Sequence, residues 1–140
     1  MATHVLVLLD ESDQAWRAFE HARDQFPDAE LTLLHVIDPL EAGYGRQASP
    51  FGVAEEWYER QQEAAEDLFD RARDAAGDRE VETQIEVGRP SRTAVEFTDD
   101  HDVDHIVLGS HGRSGVSRIL LGSVAETVVR RSPVPVTVVR

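Results

Sequence analysis

Apolar positions in this chain follow two rhythms, short unbroken runs and longer stretches at helical spacing. Val5 to Leu9 is apolar throughout, as a central strand covered on both faces requires, and Asp10 stands at its carboxyl end. Ser12 supplies a helix N-cap, after which Ala15, Ala18, Phe19, Ala22 and Phe26 keep helical spacing until Pro27 closes the segment. Leu31 to Ile37 reads as a second buried strand. Pro39 to Gly52, with three glycines and two prolines, reads as a long loop. A helix is predicted over Val53 to Ala76, where Trp57, Tyr58, Ala65, Leu68, Phe69, Ala72 and Ala76 form a stripe opposite many carboxylates. Gly77 is its stop.

Val81 to Val87 changes to strict alternation, the mark of a strand exposed on one side and placed at a sheet edge. Pro90 suits the first turn of a helix ending near His101. Val103 to Leu108, a glycine-rich loop, a helix over Ser123 to Arg131 and a last strand over Val134 to Val139 complete the pattern. Five strands alternating with four helices predict a single-domain, doubly wound α/β fold of Rossmann-like type, with a parallel sheet and right-handed crossovers. Ligands of such sheets bind beyond the carboxyl ends of the strands, where strand order reverses. With the first and fourth strands adjacent there, Asp10 and the loop after Leu108 face one crevice.

Charge sharpens this picture. The 140 residues carry 27 acidic and 14 basic side chains, for a net charge of −13, and every basic residue is arginine. A lysine-free, acidic surface fits a halophilic protein, the plainer alternative being a GC-rich genome. The same charge repels nucleic acid. Its distribution is uneven: residues 1–108 hold a net −17, whereas residues 109–140 hold Glu126 and five arginines, a net +4. Cysteine is absent, which removes disulfides, zinc thiolates and thiol catalysis. The N-terminus lacks a signal-peptide pattern and no apolar run approaches a membrane span, so a cytoplasmic protein is expected.

The basic segment contains Gly109-Ser110-His111-Gly112, nine further residues, then Gly122-Ser123. This places bare backbone beside a helix start, where a phosphate can approach closely. Ser123-Val124-Ala125-Glu126 reads as a capping box whose first-turn N–H groups point outward, and the Ser123 hydroxyl can still donate to a phosphate oxygen. It is not a P-loop, which needs a lysine. The plainer alternative gives Gly109 to a strand end, Gly112 and Gly115 to a turn, and Ser123 to capping alone. Arg113 and Arg118 are the cationic ligand candidates, while Arg130 and Arg131 meet the negative pole of the helix. His111 suits hydrogen bonding better than general-base chemistry, and no catalytic residue is assigned. His101, Asp102, Asp104 and His105 superficially resemble metal ligands. They precede the fourth strand, at the opposite end from the crevice, and read as a solvated acidic turn with no metal site.

On Asp10, the Leu33-Leu34-His35-Val36-Ile37 strand and the glycine pattern, the chain resembles the universal stress protein family over residues 1–140, as one domain. The stretch Ile106 to Arg140 is the most specific, and its Gly-x-x-Gly, nine-residue, Gly-Ser pattern resembles the ATP-binding branch, in a haloarchaeal-type member. The resemblance implies that Gly109, Gly112, Gly122, Ser123 and Val124 contact ribose and phosphates, with His111 and Arg113 beside them. It also implies that Asp10 bonds near adenine or ribose and that the backbone of Val36 reads the adenine edge, the alternative for Val36 being core packing. Leu8-Leu9-Asp10-Glu11 departs from the usual pattern, and Mg²⁺ bridging the phosphates would offset the charge of Glu11.

Family members commonly dimerise through the last strand, here Val134 to Val139, an apolar edge that a twofold partner would cover. The implied function is a nucleotide-responsive stress-response homodimer that binds ATP or another adenine nucleotide, read by protein partners the sequence does not identify. The alternatives are a weak ATPase or nucleotidyl-transfer enzyme, and a dimeric interaction module that binds no nucleotide.

Overall fold

A computed structural model describes residues 2–42, 51–111 and 121–140. The strands are β1 (His4–Leu8), β2 (Glu30–Ile37), β3 (Val81–Val87), β4 (His105–Gly109) and β5 (Val136–Val139). The helices are α1 (Asp13–Gln25), α2 (Phe51–Ala76), α3 (Pro90–Asp100) and α4 (Ser123–Arg131), with a short 3-10 turn at Pro39–Ala42. All strand pairs are parallel, in the order β3-β2-β1-β4-β5. This is the α/β fold expected, with a five-stranded parallel sheet and four helices.

The unbroken apolar strands are explained by two cores. On one face Val5, Val7, Leu31, Leu33 and Val107 pack with Ala15, Ala18, Phe19 and Ala22 of α1 and Leu68, Phe69 and Ala72 of α2. On the other, Leu6, Leu34, Val36, Ile106 and Leu108 pack with Ala94 and Phe97 of α3 and Ala125 and Val128 of α4. Successive residues of one strand point to opposite faces, so both faces need apolar side chains. The edge strand β3 alternates instead, with Glu82 and Gln84 outward and Val81 and Ile85 against the first core.

Element ends follow local chemistry. Ser12 caps α1, its hydroxyl accepting from Ala15 N–H at 3.2 Å. Gly77 ends α2 at φ 67°, a conformation that costs glycine little. Pro90 sits in the first turn of α3. Several bounds differ from expectation: β1 runs His4–Leu8 rather than Val5 to Leu9, and the segment read as a loop over Pro39 to Gly52 opens with the 3-10 turn and gives its last two residues to α2, which begins at Phe51 rather than Val53. The last strand begins at Val136, not Val134, because neither Pro133 nor Pro135 has an N–H for the ladder, although Pro135 O still accepts from Ile106 N–H at 3.0 Å. The fourth strand begins at His105; Val103 is buried in the preceding turn, where Asp102 takes a positive φ of 51°. Among the described residues no helix is long and apolar enough to cross a membrane.

Candidate functional site

The reversal of strand order falls between β1 and β4 at the centre of the sheet. From the end of β1 the chain leads into α1 on one face, whereas the helix after β4, α4, packs on the other. The connections therefore diverge and open a crevice beyond the carboxyl ends of these strands. Asp10 follows the end of β1 and Gly109 ends β4, so both stand at the carboxyl ends of the two strands between which the order reverses.

The β1 side is shaped by two short-range bonds. Asp10 Oδ1 accepts from Ser12 N–H at 2.7 Å, which turns the chain into α1 and gives Asp10 a structural task of its own. Gly109 meets α1 directly: a Cβ there would lie 2.7 Å from Gln14 C and 2.9 Å from Ala15 N. The missing side chain at 109 thus admits the backbone of α1, on the face away from α4.

The β4 side is stitched together through main chain. Ser110 N–H donates to Val139 O and Gly122 N–H donates to Ser110 O, both at 2.7 Å. Gly122, not Ser123, is the N-cap of α4, and no side chain caps it. The expected capping box is therefore one residue out of register. Ser123 is the first helical residue, Glu126 N–H bonds Gly122 O at 2.9 Å, and the Glu126 carboxylate turns to Arg130 at 3.0 Å. Ser123 is left exposed, with its hydroxyl unengaged by the described residues, and the amides of Ser123 and Val124 lie in the first turn, where helical N–H groups lack intrahelical acceptors. His111 sits over this start, 3.2 Å from Ser110 Oγ through Nδ1. Gly112, Arg113, Gly115 and Arg118 lie in 112–120, outside the described residues.

A third wall comes from β2. Its register with β1 ends at Leu8 opposite Leu34, while its register with β3 continues to Ile37 opposite Val87. Leu9 N–H donates to Leu34 O at 2.9 Å, so the backbone polar groups of Leu34 point toward β1. By the period of a strand those of Val36 point the same way, past the end of β1 and toward the crevice. The Val36 side chain is in the core, 8 % exposed, so its packing leaves the backbone polar groups as the part of the residue turned toward the crevice. The Nδ1–H of His35 donates to Leu9 O at 2.9 Å and ties down the strand end. Sequence reasoning passed over His35 and Ser110 as site residues; a histidine inside an apolar run was the available signal for the first.

The histidines before β4 serve the opposite end of the sheet. His4 N–H donates to Asp104 Oδ2 at 2.8 Å, and the His4 ring bridges His101 O and Thr32 Oγ1. Among the described residues no cluster of three His, Asp or Glu side chains could hold a metal ion.

The universal stress protein family model matches residues 1–140. A universal stress protein of Methanocaldococcus jannaschii is 33 % identical over 140 residues, covering 97 % of this chain and 81 % of the relative. Among solved structures, the universal stress protein UspA of Lactobacillus plantarum superposes with a TM-score of 0.84 at 28 % identity, covering 99 % of this chain and 97 % of its own. A universal stress protein in complex with cAMP superposes with a TM-score of 0.66 at 30 % identity, covering 99 % and 97 %. On the whole-length match, the two-faced core and the crevice at the β1/β4 reversal, the chain belongs to the universal stress protein family.

Proposed function

We propose that this protein binds an adenine nucleotide, ATP by preference, in the crevice between β1 and β4, and that occupancy controls a stress-response homodimer. The observation that carries the reading is the pairing of two recognition surfaces across one crevice. The backbone N–H and C=O of Val36 project beyond the end of β1, a donor and acceptor for a purine edge, and the first turn of α4 offers N–H groups to phosphate. Asp10 would bond the ribose or adenine, with Gly109, Gly112, Gly122, Ser123, Val124, His111 and Arg113 around the ribose and phosphates. The cAMP complex of a 30 % identical relative supports an adenylate as ligand.

Mg²⁺ belongs to this reading as part of the nucleotide, since that ion is commonly held by phosphates, water and one or two carboxylates. Asp10 is the carboxylate suited to it, with Oδ1 engaged by Ser12 and a second oxygen to offer. The dimer forms through β5, an edge strand of four half-buried apolar or β-branched residues, whereas the other edge strand carries Glu82, Gln84 and Glu86. Charges blunt an edge and apolar residues leave it receptive. The acidic, lysine-free composition fits a cytoplasmic protein working in concentrated salt. Titration calorimetry with ATP, ADP and AMP in molar KCl tests the reading: micromolar or tighter binding is expected. An absence of binding by a protein with an intact circular dichroism spectrum overturns it. Phosphate release in a single turnover separates binding from hydrolysis.

A further inference from the structure

The turn after β4 contains a side-chain pair, Ser110 and His111, of which the reading above uses only the histidine and gives it no defined chemistry. Ser110 is only 4 % exposed, and its three polar groups are all engaged. Its N–H and C=O join β5 to α4, and its hydroxyl lies 3.2 Å from His111 Nδ1. The backbone bonds immobilise the residue, so the hydroxyl is a fixed post. The imidazole leans on the start of α4: a Cβ on Gly122 would come 3.4 Å from His111 Cα and 3.6 Å from its Cδ2. Cδ2 is bonded to Nε2. One ring nitrogen is thus anchored to Ser110, and the other is carried on the side of the ring next to the N-terminus of α4.

We propose that Ser110 is a positioning residue that holds His111 so that the Nε2–H of its imidazolium donates to a nucleotide phosphate, which makes binding proton-linked. The inference rests on the nucleotide reading above. A hydroxyl both donates and accepts, so Ser110 serves Nδ1 in either protonation state and the ring need not move when it titrates. Imidazole is the side chain whose charge changes near neutrality, and a charge-assisted bond is about twice as strong as a neutral one. In a chain without lysine, a histidine here adds a full charge to the partial charge of the helix start. At the crevice end of the neighbouring elements the charged groups among the described residues are Asp10, Glu11 and Asp13 around the β1–α1 turn, Asp38 after β2, Glu126 in the first turn of α4 and Arg140 after β5, while Arg130 and Arg131 stand at the far end of α4. Glu126 is engaged by Arg130. Arg113 and Arg118 lie outside the described residues.

The test is calorimetric titration with ATP at pH ~5.5 and ~8, in buffers of different ionisation enthalpy, on the full chain and on His111→Gln. The titration of ATP itself is common to both proteins and cancels in the comparison. The expected result is an acid-to-alkaline affinity ratio about tenfold larger in the parent, with about half a proton more taken up per ATP bound in a further titration at pH ~7. Ser110→Ala is expected to lie between the two. In the parent, the His111 ring resonances should titrate at higher pH with ATP bound than without, a measurement that needs no variant. Equal proton uptake in parent and His111→Gln, or a ring titration that ATP leaves in place, overturns the inference and leaves the nucleotide reading standing. A parent that binds no ATP at either pH overturns both.

Discussion

Replacing Gly109 by alanine probes how closely α1 packs against the end of β4. The added Cβ would sit 2.7 Å from both C and Cβ of Gln14 and 2.9 Å from Ala15 N. Two of these are backbone atoms in the first turn of α1, which cannot swing aside as a side-chain tip would. The turn is pinned by Asp10 and Ser12, and behind it Ala15 and Ala18 are 4 % and 0 % exposed. Restoring an ordinary contact of ~3.5 Å requires α1 and β4 to separate locally by about 0.8 Å, and a gap of that size forfeits a quarter to a half of each dispersion contact it opens. The expected cost is therefore at the upper end of overpacking, about 2–3 kcal/mol. Gly77→Ala is the matched control: nothing lies within 4 Å, and only the positive φ of 67° opposes the side chain, for about 1 kcal/mol. Denaturant unfolding of both variants in molar KCl measures the difference. If Gly109→Ala is as stable as the parent, or loses less than Gly77→Ala, the close approach of α1 to β4 is wrong.

Ser12→Ala removes the acceptor for Ala15 N–H and should cost about 1 kcal/mol by the same assay, an unchanged midpoint being the refuting result. Burial, with a smaller contribution from His21, holds His105 below the ordinary imidazole value, and its Nε2 lies 2.7 Å from Thr137 Oγ1. The unfolded chain then binds a proton that the folded chain refuses, so stability is complete above pH ~6.5 and declines as pH falls through the lowered folded value. His105→Gln should flatten that part of the stability profile, and an unchanged slope between pH ~5 and ~7 would count against it. Gly122→Val places a branched side chain where a Cβ already lies 3.1 Å from Ser110 O, displacing the start of α4. ATP binding should be lost while β5 and the proposed dimer persist by sedimentation; retained binding removes Gly122 from the site.

The order of elements was legible because each rests on local chemistry. The two-faced apolar strands, the Ser12 cap, the Gly77 stop and Pro90 each act within a few residues of themselves. That Asp10 and Gly109 stand at one end of adjacent strands was legible only through the general rule for reversed strand order, since they are 99 positions apart. Where reading failed, the reason was register. Ser123 had the side chain for a capping box, but the Gly122–Ser110 bond starts the helix one residue earlier, and a cap one position away is no cap.

Composition and pattern alone determined the α/β class, the parallel sheet, the acidic surface and the place of the glycine motif, because periodicity and propensity are properties of short stretches of chain. Tertiary structure decided why individual residues stand where they do. Gly109 makes room for α1, Val36 directs its backbone past the end of β1 because β2 outruns its neighbour, and Ser110 grips His111 from between two strands and a helix. Such facts depend on distances between residues remote in the chain, which folding sets and a one-dimensional pattern does not contain.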